Sequence, residues 1–311
     1  MTARSLIAHQ PWPQTKAEVI HVAQVWYDPH RVAIDDGAIE RLDFGQVAPG
    51  LERGMLEGTM DLAWAENVAL SIALNSINYQ FWDLDQQGRF VRYAFEGLQG
   101  AQGMCLAFER AWNDPASALT QARQGRPLTL ADVQAVFGDI PSPQSRAAIL
   151  NEVLPSVGLN PVVEDLIGTL NAEGKVSTAM ATRLANAFPL AYGDPVLKKA
   201  QLAISELWTK GLEAGLNVGC ELTAFADYQI PNILRAMGVL VYAEDLAEQI
   251  AHYHPIAPES LDEQAIRGAS ILAVERIAQA TGSNVAAVDH YLWTRRKEAQ
   301  TPFHLTFTTA Y

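Results

Sequence analysis

Cysteine is scarce in this chain. Its 311 residues include two, Cys105 and Cys220, and neither stands in a CxxC or CxxH spacing. That excludes a disulfide framework and a structural zinc ribbon, and leaves two reduced thiols for a packed interior. Long hydrophobic runs are missing too. Nothing approaches 18 uninterrupted apolar residues, and the opening MTARSLIAHQPWPQ has no apolar core, so neither a membrane span nor a secretory signal is expected. A cytoplasmic location is the expectation. Positive charge is in deficit: 22 Lys and Arg face 35 Asp and Glu, a formal charge of −13. A binder of duplex DNA or tRNA draws much of its affinity from neutralising phosphates and releasing counterions. A small-molecule partner fits this balance better, with room for a local basic pocket that takes one phosphate.

Catalytic signatures are also absent. No GxxxxGKS/T, GxGxxG, GxSxG or HExxH occurs, so triphosphate, dinucleotide, esterase and zincin chemistry have no motif behind them. His252 and His254 lie two apart without a third ligand at a useful spacing. They read as surface or loop histidines, and the site is expected to hold no metal and no cofactor. No internal repeat, low-complexity tract or long linker divides residues 1–311, which read as a single domain. The lack of a heptad seam points to a monomer.

What is present is a globular balance, 49% hydrophobic and 18% charged, arranged mostly with helical spacing. MDLAWAENVALSIALNS places Leu62, Ala65, Ala69 and Ile72 on one face. LTLADVQAVFG offers a Thr129/Asp132 capping box and a Gly138 stop, and PESLDEQAIRGASILAVERIAQATG offers Ser260 with Glu263 and Gly282 beyond its end. Helices are also expected around VVEDLIGTL, PVLKKAQLAISELW and NVAAVDHYLWTRRKE. The Gly- and Pro-spotted stretch from Gly100 to Pro161 reads as a chain of short helices. Strands are expected at the two ends: Val19–Tyr27, then RVAID after the Asp28-Pro29-His30 turn, and Phe303–Tyr311, where Phe and Leu alternate with His and Thr. The fold class is therefore mainly α with a small β element from the N- and C-terminal segments.

Two segments carry residues unusual for plain core. SINYQFWDLD brings Asn78, Tyr79, Phe81, Trp82, Asp83 and Asp85 together after a helix. Rings beside an amide and carboxylates suit a planar polar heterocycle, stacked on its faces and read at its edges. A helix end that plugs the core with aromatics and turns its aspartates to water has the same composition. LTAFADYQIPNILRAMG sets Asp227 just ahead of a short helix that has Pro231 in its first turn and stops at Gly238. A positive helix end keeps an anion there, suited to face a developing cation. Capping that helix is the other use for Asp227, although it lies early for it.

Taken together these residues resemble the queuosine salvage protein family. Its Asn-Phe-x-Phe-Trp motif is matched by Asn78-Tyr79-Gln80-Phe81-Trp82, and its Lys-Arg-Ala-Gln helix by Lys198-Lys199-Ala200-Gln201. Its Phe-Ala-Asp-Tyr-Arg-x-Pro signature is matched by Phe225 through Pro231, with Gln229 at the Arg position. Glu263 to Arg267, Ala273-Val274-Glu275 and a final Tyr311 follow in the family's order, with Leu305 interrupting a His-Arg-Thr ending. The resemblance implies a helical core akin to the helix-hairpin-helix DNA glycosylases. It also implies an N-glycosidase that cuts queuosine 5′-monophosphate and releases the base queuine, which a separate enzyme would re-insert into tRNA.

Asp227 is then the expected catalytic group beneath the sugar, either stabilising the oxocarbenium-like state and aligning water or attacking C1′. A 7-deazapurine has no N7 to protonate, so the base must be drawn off by hydrogen bonds to its remaining edge. Asn78 and Asp83 suit that edge, with Tyr79, Phe81 and Trp82 as stacking surfaces, and Tyr228 orients Asp227 or a ribose hydroxyl. A lysine would meet the phosphate as a point charge. Adjacent helical side chains diverge by about 100°, so one of Lys198 and Lys199 is expected inward, and the family match selects Lys198. Glu263 is assigned to its capping box alone, and Arg267 with Glu275 to a structural polar pair. The rival readings are a hydrolase of another modified purine nucleoside or nucleotide, and a non-catalytic binder of a modified base, which has no need of a carboxylate under the sugar. Because no workable ligand set exists, glycosidase activity is expected to survive a chelator. Activity that disappears with EDTA and returns with zinc or magnesium overturns this.

Overall fold

The computed structural model describes residues 12–42, 44, 64–159, 161–213 and 215–311. In chain order the elements are α1 (Lys16–Trp26), β1 (Val32–Ile34), α2 (Asp36–Arg41), α3 (Trp64–Ser76), β2 (Trp82–Leu84), β3 (Phe90–Arg92), β4 (Ala94–Phe95) and β5 (Leu98–Gln99). Then come α4 (Ala101–Asn113), α5 (Ala118–Arg123), α6 (Leu130–Phe137), α7 (Pro143–Leu159), α8 (Pro161–Glu173), β6 (Lys175–Ser177), α9 (Thr178–Ala187), α10 (Pro189–Tyr192) and α11 (Lys198–Glu213). Last are β7 (Gly219–Glu221), α12 (Gln229–Ala236), β8 (Leu240–Tyr242), α13 (Glu244–Ala251), α14 (Leu261–Thr281), α15 (Val285–Thr294) and a 3-10 turn at Arg296–Glu298. The protein is mainly α, and its strands form only two-stranded pairs among the described residues.

Three helices carry long buried stretches. Every residue of α3 from Val68 to Ser76 is buried, α11 buries both of its lysines with Gln201 and Glu206, and α14 buries Arg267 with Ser270. A stretch buried all round has no solvated face, so each polar residue on it must find a partner inside. The site grows from those residues. Helices α7 and α11 pack on α3, and α1 packs along α14.

The expected capping boxes and stops are largely in place. Thr129 and Asp132 cap α6 reciprocally and Gly138 closes it at φ 63°, while Ser260 caps α14 and Gly282 ends it in the left-handed region. The segment Met60 to Ala63, including Leu62, lies outside the described residues. The helices between Gly100 and Pro161 are not all short: α7 runs 17 residues through an internal Pro155.

Both terminal strands are corrected. Val19–Trp26 lies in α1, with Tyr27 as its C-cap, and the helix starts at a reciprocal box in which Thr15 accepts from the Glu18 amide and Glu18 accepts from that of Thr15. Its β-branched residues are outweighed by packing, since Val19 and Ala23, one helical turn apart, are buried where α1 meets α14. RVAID does form a strand, β1, but it pairs antiparallel with the internal β8, Val32 opposite Tyr242. Phe303–Tyr311 is extended without a ladder. Phe303, His304, Leu305 and Thr306 are all buried while Phe307 is 45% exposed, so the alternation does not mark one wet face. Ile256 N–H donates to Leu305 O at 2.7 Å, and Gln80 N–H to Tyr311 O at 3.3 Å. The hairpins β2–β3 and β4–β5, with Trp82 opposite Arg92, are β elements beyond those expected at the two ends.

The crossing of α1 and α14 is close because residue 268 is glycine. A Cβ there would lie 2.7 Å from Ala23 O and 3.1 Å from both Trp26 Cβ and Tyr27 N. Gly268→Ala is therefore expected to lower stability by about 1–3 kcal/mol, since overpacking outweighs the gain in helix propensity. Urea unfolding measures it, and an unchanged or higher midpoint contradicts the close contact.

Candidate active site

Between β7 and α12 the chain runs through Leu222–Tyr228 without regular structure, yet Leu222 to Ala226 is buried. Its backbone groups cannot turn to water and must be satisfied inside. Side chains from three helices do this. Gln201 on α11 accepts from Thr223 N–H at 2.8 Å and donates to Thr223 Oγ1 at 2.8 Å. Asp289 on α15 accepts from Phe225 N–H at 2.8 Å, and Arg267 on α14 donates Nε–H to Ala226 O at 3.2 Å.

At the end of this segment Asp227 Oδ1 accepts from the Gln229 and Ile230 amides at 2.7 and 3.1 Å. Capping and anion placement are thus one arrangement, because the amides at a helix start favour a negative group. Oδ2 lies 3.9 Å from Lys198 Nζ, with the Asp227 side chain 13% exposed. One oxygen holds the helix while the other faces a cation at an opening to solvent.

Both lysines of α11 are buried, against the expectation of one, because the first turn of the helix, Lys198 to Gln201, is covered on every side. Lys198 stands beside Asp227. Burial lowers its pKa, and the carboxylates of Asp227 and Asp289 pull it back up. Lys199 donates to Ser76 O at 2.7 Å, ties α11 to the end of α3, and is held well below the usual lysine range by burial.

A buried ion cluster lies behind the pair. Arg267 grips Asp194 with two bonds of 3.0 and 2.8 Å and has Glu263 at 3.5 Å, while Asp194 Oδ2 also accepts the Lys198 amide at 2.8 Å. Glu263 is therefore more than a cap. Ser260 accepts its amide, but its carboxylate meets the Glu259 N–H, Arg267 and Tyr311 inside the protein. Arg267 and Glu275 do not pair with each other. Glu275 meets Lys16 at 2.9 Å along a surface groove of about 620 Å³, away from Asp227.

The aromatic segment divides. Trp82 and Tyr228 join Phe303, Leu305 and Tyr311 in one buried cluster, with Tyr228 tilted on Phe303 at a centroid distance of 4.6 Å. Burial, then the Asp227 charge, raises the Tyr228 pKa, so its hydroxyl stays protonated and able to donate. The Trp82 indole N–H is buried without a hydrogen-bond partner among the described residues. Tyr79 and Phe81 face the other way. Arg146 lies 4.1 Å and Lys199 4.7 Å from the Tyr79 ring centre, and Phe81 stacks on Tyr93. Asn78 is buried and donates to Asn75 Oδ1 at 3.1 Å. Asp83 is exposed on the opposite side of β2 from Trp82 and accepts the Leu84 amide. Asp227, Lys198 and Tyr228 thus form one centre with Trp82 in the adjoining cluster, and Asp83 stands apart.

Sequence reasoning passed over two members. Asp289 sits on the apolar face of NVAAVDHYLW, beside Val285, Val288 and Leu292, and a carboxylate on a buried stripe was the available signal. Burial pushes its pKa up to about 7, with the Asp227 charge adding to the rise. Arg146 gave no such signal. It is buried, donates to Tyr79 O and Pro141 O, and is lowered to about 10 by burial. Among the described residues no group of three or more His, Cys, Asp or Glu could hold a metal ion, and no helix is long and apolar enough to cross a membrane.

Comparison with known proteins adds a sequence-wide likeness. The model of a family described as queuosine salvage protein matches residues 62–311. A Sphaerobacter thermophilus protein named queuosine 5′-phosphate N-glycosylase/hydrolase is 31% identical, with 96% of each chain covered. Proteins of the same name from Mus musculus and Bos taurus are each 25% identical over 75% of this chain and 78% of their own.

Asp289 makes stability depend on pH. Its folded pKa of about 7 exceeds the ordinary 3.8, so the folded state holds a proton that the unfolded chain has already released. Stability is therefore lost as the pH rises from about 4 through 7. Between about pH 5 and pH 8 the wild type should lose roughly 1–3 kcal/mol more than Asp289→Asn. Urea unfolding at the two pH values measures the difference, and equal losses contradict it.

Proposed function

The chain belongs to the queuosine salvage protein family, and on that premise we propose that it hydrolyses queuosine 5′-monophosphate at the N-glycosidic bond, releasing queuine for salvage into tRNA. The observation that carries the residue assignment is the division of labour at Asp227. Oδ1 is committed to the Gln229 and Ile230 amides, and Oδ2 is turned to Lys198 at the solvent opening.

In this reaction the C1′–N9 bond breaks and its electron pair leaves with the base, which takes up a proton. Water adds its oxygen to C1′ and gives up a proton, leaving ribose 5-phosphate. Positive charge grows on the ribose meanwhile, and a fixed carboxylate meets it without reorganising. Asp227 Oδ2 is that group. Lys198 keeps the carboxylate aimed. Tyr228, protonated and next in sequence, is a donor for a ribose hydroxyl or for Asp227. The Trp82 indole contributes an aromatic face and an unpaired donor to an adjoining base pocket. Asn78 supplies an amide to the base edge from the same turn.

Asp227→Asn retains an oxygen for the two amides and removes the charge. The expected outcome is a fall in kcat of about 10²–10³, roughly 3–4 kcal/mol of barrier, in a protein that melting curves show still folded at the assay temperature. Queuine binding by calorimetry should change far less than single-turnover cleavage. A near-normal rate, or unfolding that accompanies lost binding, removes Asp227 from the catalytic role.

A further inference from the structure

Two arginines beside the Asp227–Tyr228 segment make no salt bridge to a carboxylate among the described residues, in an acidic protein. Arg92, at the end of β3, lies opposite Trp82 across the hairpin and shares its side. Its guanidinium carbon sits 5.8 Å from the Phe90 ring centre and 6.0 Å from that of Phe303, the ring on which Tyr228 is tilted. Its guanidinium donates to a neutral partner, Gln99 Oε1, at 3.5 Å. Arg296 starts the 3-10 turn that packs on α12, the helix capped by Asp227, and Asn232 on α12 donates to Thr301 O, just beyond that turn, at 3.1 Å. The Arg296 guanidinium lies 3.5 Å over the Trp293 ring and donates to Trp293 O at 2.8 Å.

Neither arginine pairs with a carboxylate among the described residues, whereas the adjacent Arg295 is neutralised by Glu298 at 2.7 Å. Arg296 is partly desolvated and lies within electrostatic reach of Asp227, Tyr228 and Arg92, whose like charge opposes its own. Two guanidinium groups that approach each other without an anion repel, and a dianion between them reverses the sign of the interaction. The planar fork of arginine matches a phosphate, and stacking on Trp293 leaves the outward N–H groups aimed.

We propose that Arg92 and Arg296 form the phosphate clamp of the site, holding the 5′-phosphate of a nucleoside monophosphate whose C1′ lies at Asp227. The clamp rests on the hydrolase reading for its substrate, but not for its anion. It frees Lys198, already engaged at the carboxylate, from the phosphate.

The test measures calorimetric binding of ribose 5-phosphate, and steady-state cleavage of queuosine and its 5′-monophosphate, by wild type, Arg92→Gln, Arg296→Lys and Lys198→Ala. Arg92 is exposed, so Arg92→Gln reports without a folding defect, and melting curves check Arg296→Lys. Ribose 5-phosphate affinity, and the ratio of kcat/KM for nucleotide over nucleoside, should each fall about tenfold to a hundredfold in Arg92→Gln. Arg296→Lys should show a smaller loss, because charge remains without the fork, and Lys198→Ala should lower both substrates alike. No ribose 5-phosphate binding by the wild type, unchanged affinity in both arginine variants, or a selective loss of the nucleotide in Lys198→Ala overturns the clamp. Arginine-dependent binding of ribose 5-phosphate without cleavage of either substrate leaves the clamp standing and removes the hydrolase reading.

Discussion

Backbone polar groups in a buried segment that is neither helix nor strand must be satisfied by side chains, and much of this protein follows from that demand at Leu222–Tyr228. The segment places a carboxylate at a helix start inside the molecule, a position a regular element would not reach. Gln201, Arg267 and Asp289 satisfy its peptides from three different helices. Each must therefore be polar and buried, which explains why α11, α14 and α15 carry polar groups where their packing alone would place apolar ones.

The same demand explains the ion cluster. Arg267 cannot enter the interior alone, because an unpaired buried charge is strongly destabilising, so Asp194 and Glu263 accompany it. Buried pairs of this kind contribute little net stability. Their effect here is positional: Asp194 holds the start of α11 through the Lys198 amide while Arg267 holds the loop. His304, lowered to about 3 by burial and by the Arg267 charge, stays neutral beside Tyr311. The cluster thus fixes Lys198 and Asp227 relative to each other from behind, and leaves their facing atoms open.

Legibility in the sequence varied with how local the cause was. The α6 box and the Gly282 stop depend on residues within one turn, and both stand in the structure as read. The capping box at Thr15 and Glu18 was equally local, but the β-branched run behind it argued for a strand, and contact with α14 decided for a helix. Phe303–Tyr311 misled because alternation implies a face turned to water, and this segment has core on both sides of Phe303–Thr306. At the site, Asp227, Lys198 and Tyr228 were legible as motif members. Asp289 and Arg146 were not, since their partners lie 64 and 67 residues away in the chain.

The sequence alone determined the helical class, the acidic balance that disfavours a polynucleotide, and the aspartate placed before a short helix, because composition, local spacing and capping act over a few residues. Tertiary structure decided which oxygen of Asp227 is free, that both lysines of α11 are buried, and that Asp83 stands outside the cluster that takes Trp82. These depend on which faces of an element are covered by distant chain. Enclosure of the first turn of α11 on every side removes the solvent face that helical spacing takes for granted, and no local pattern records it.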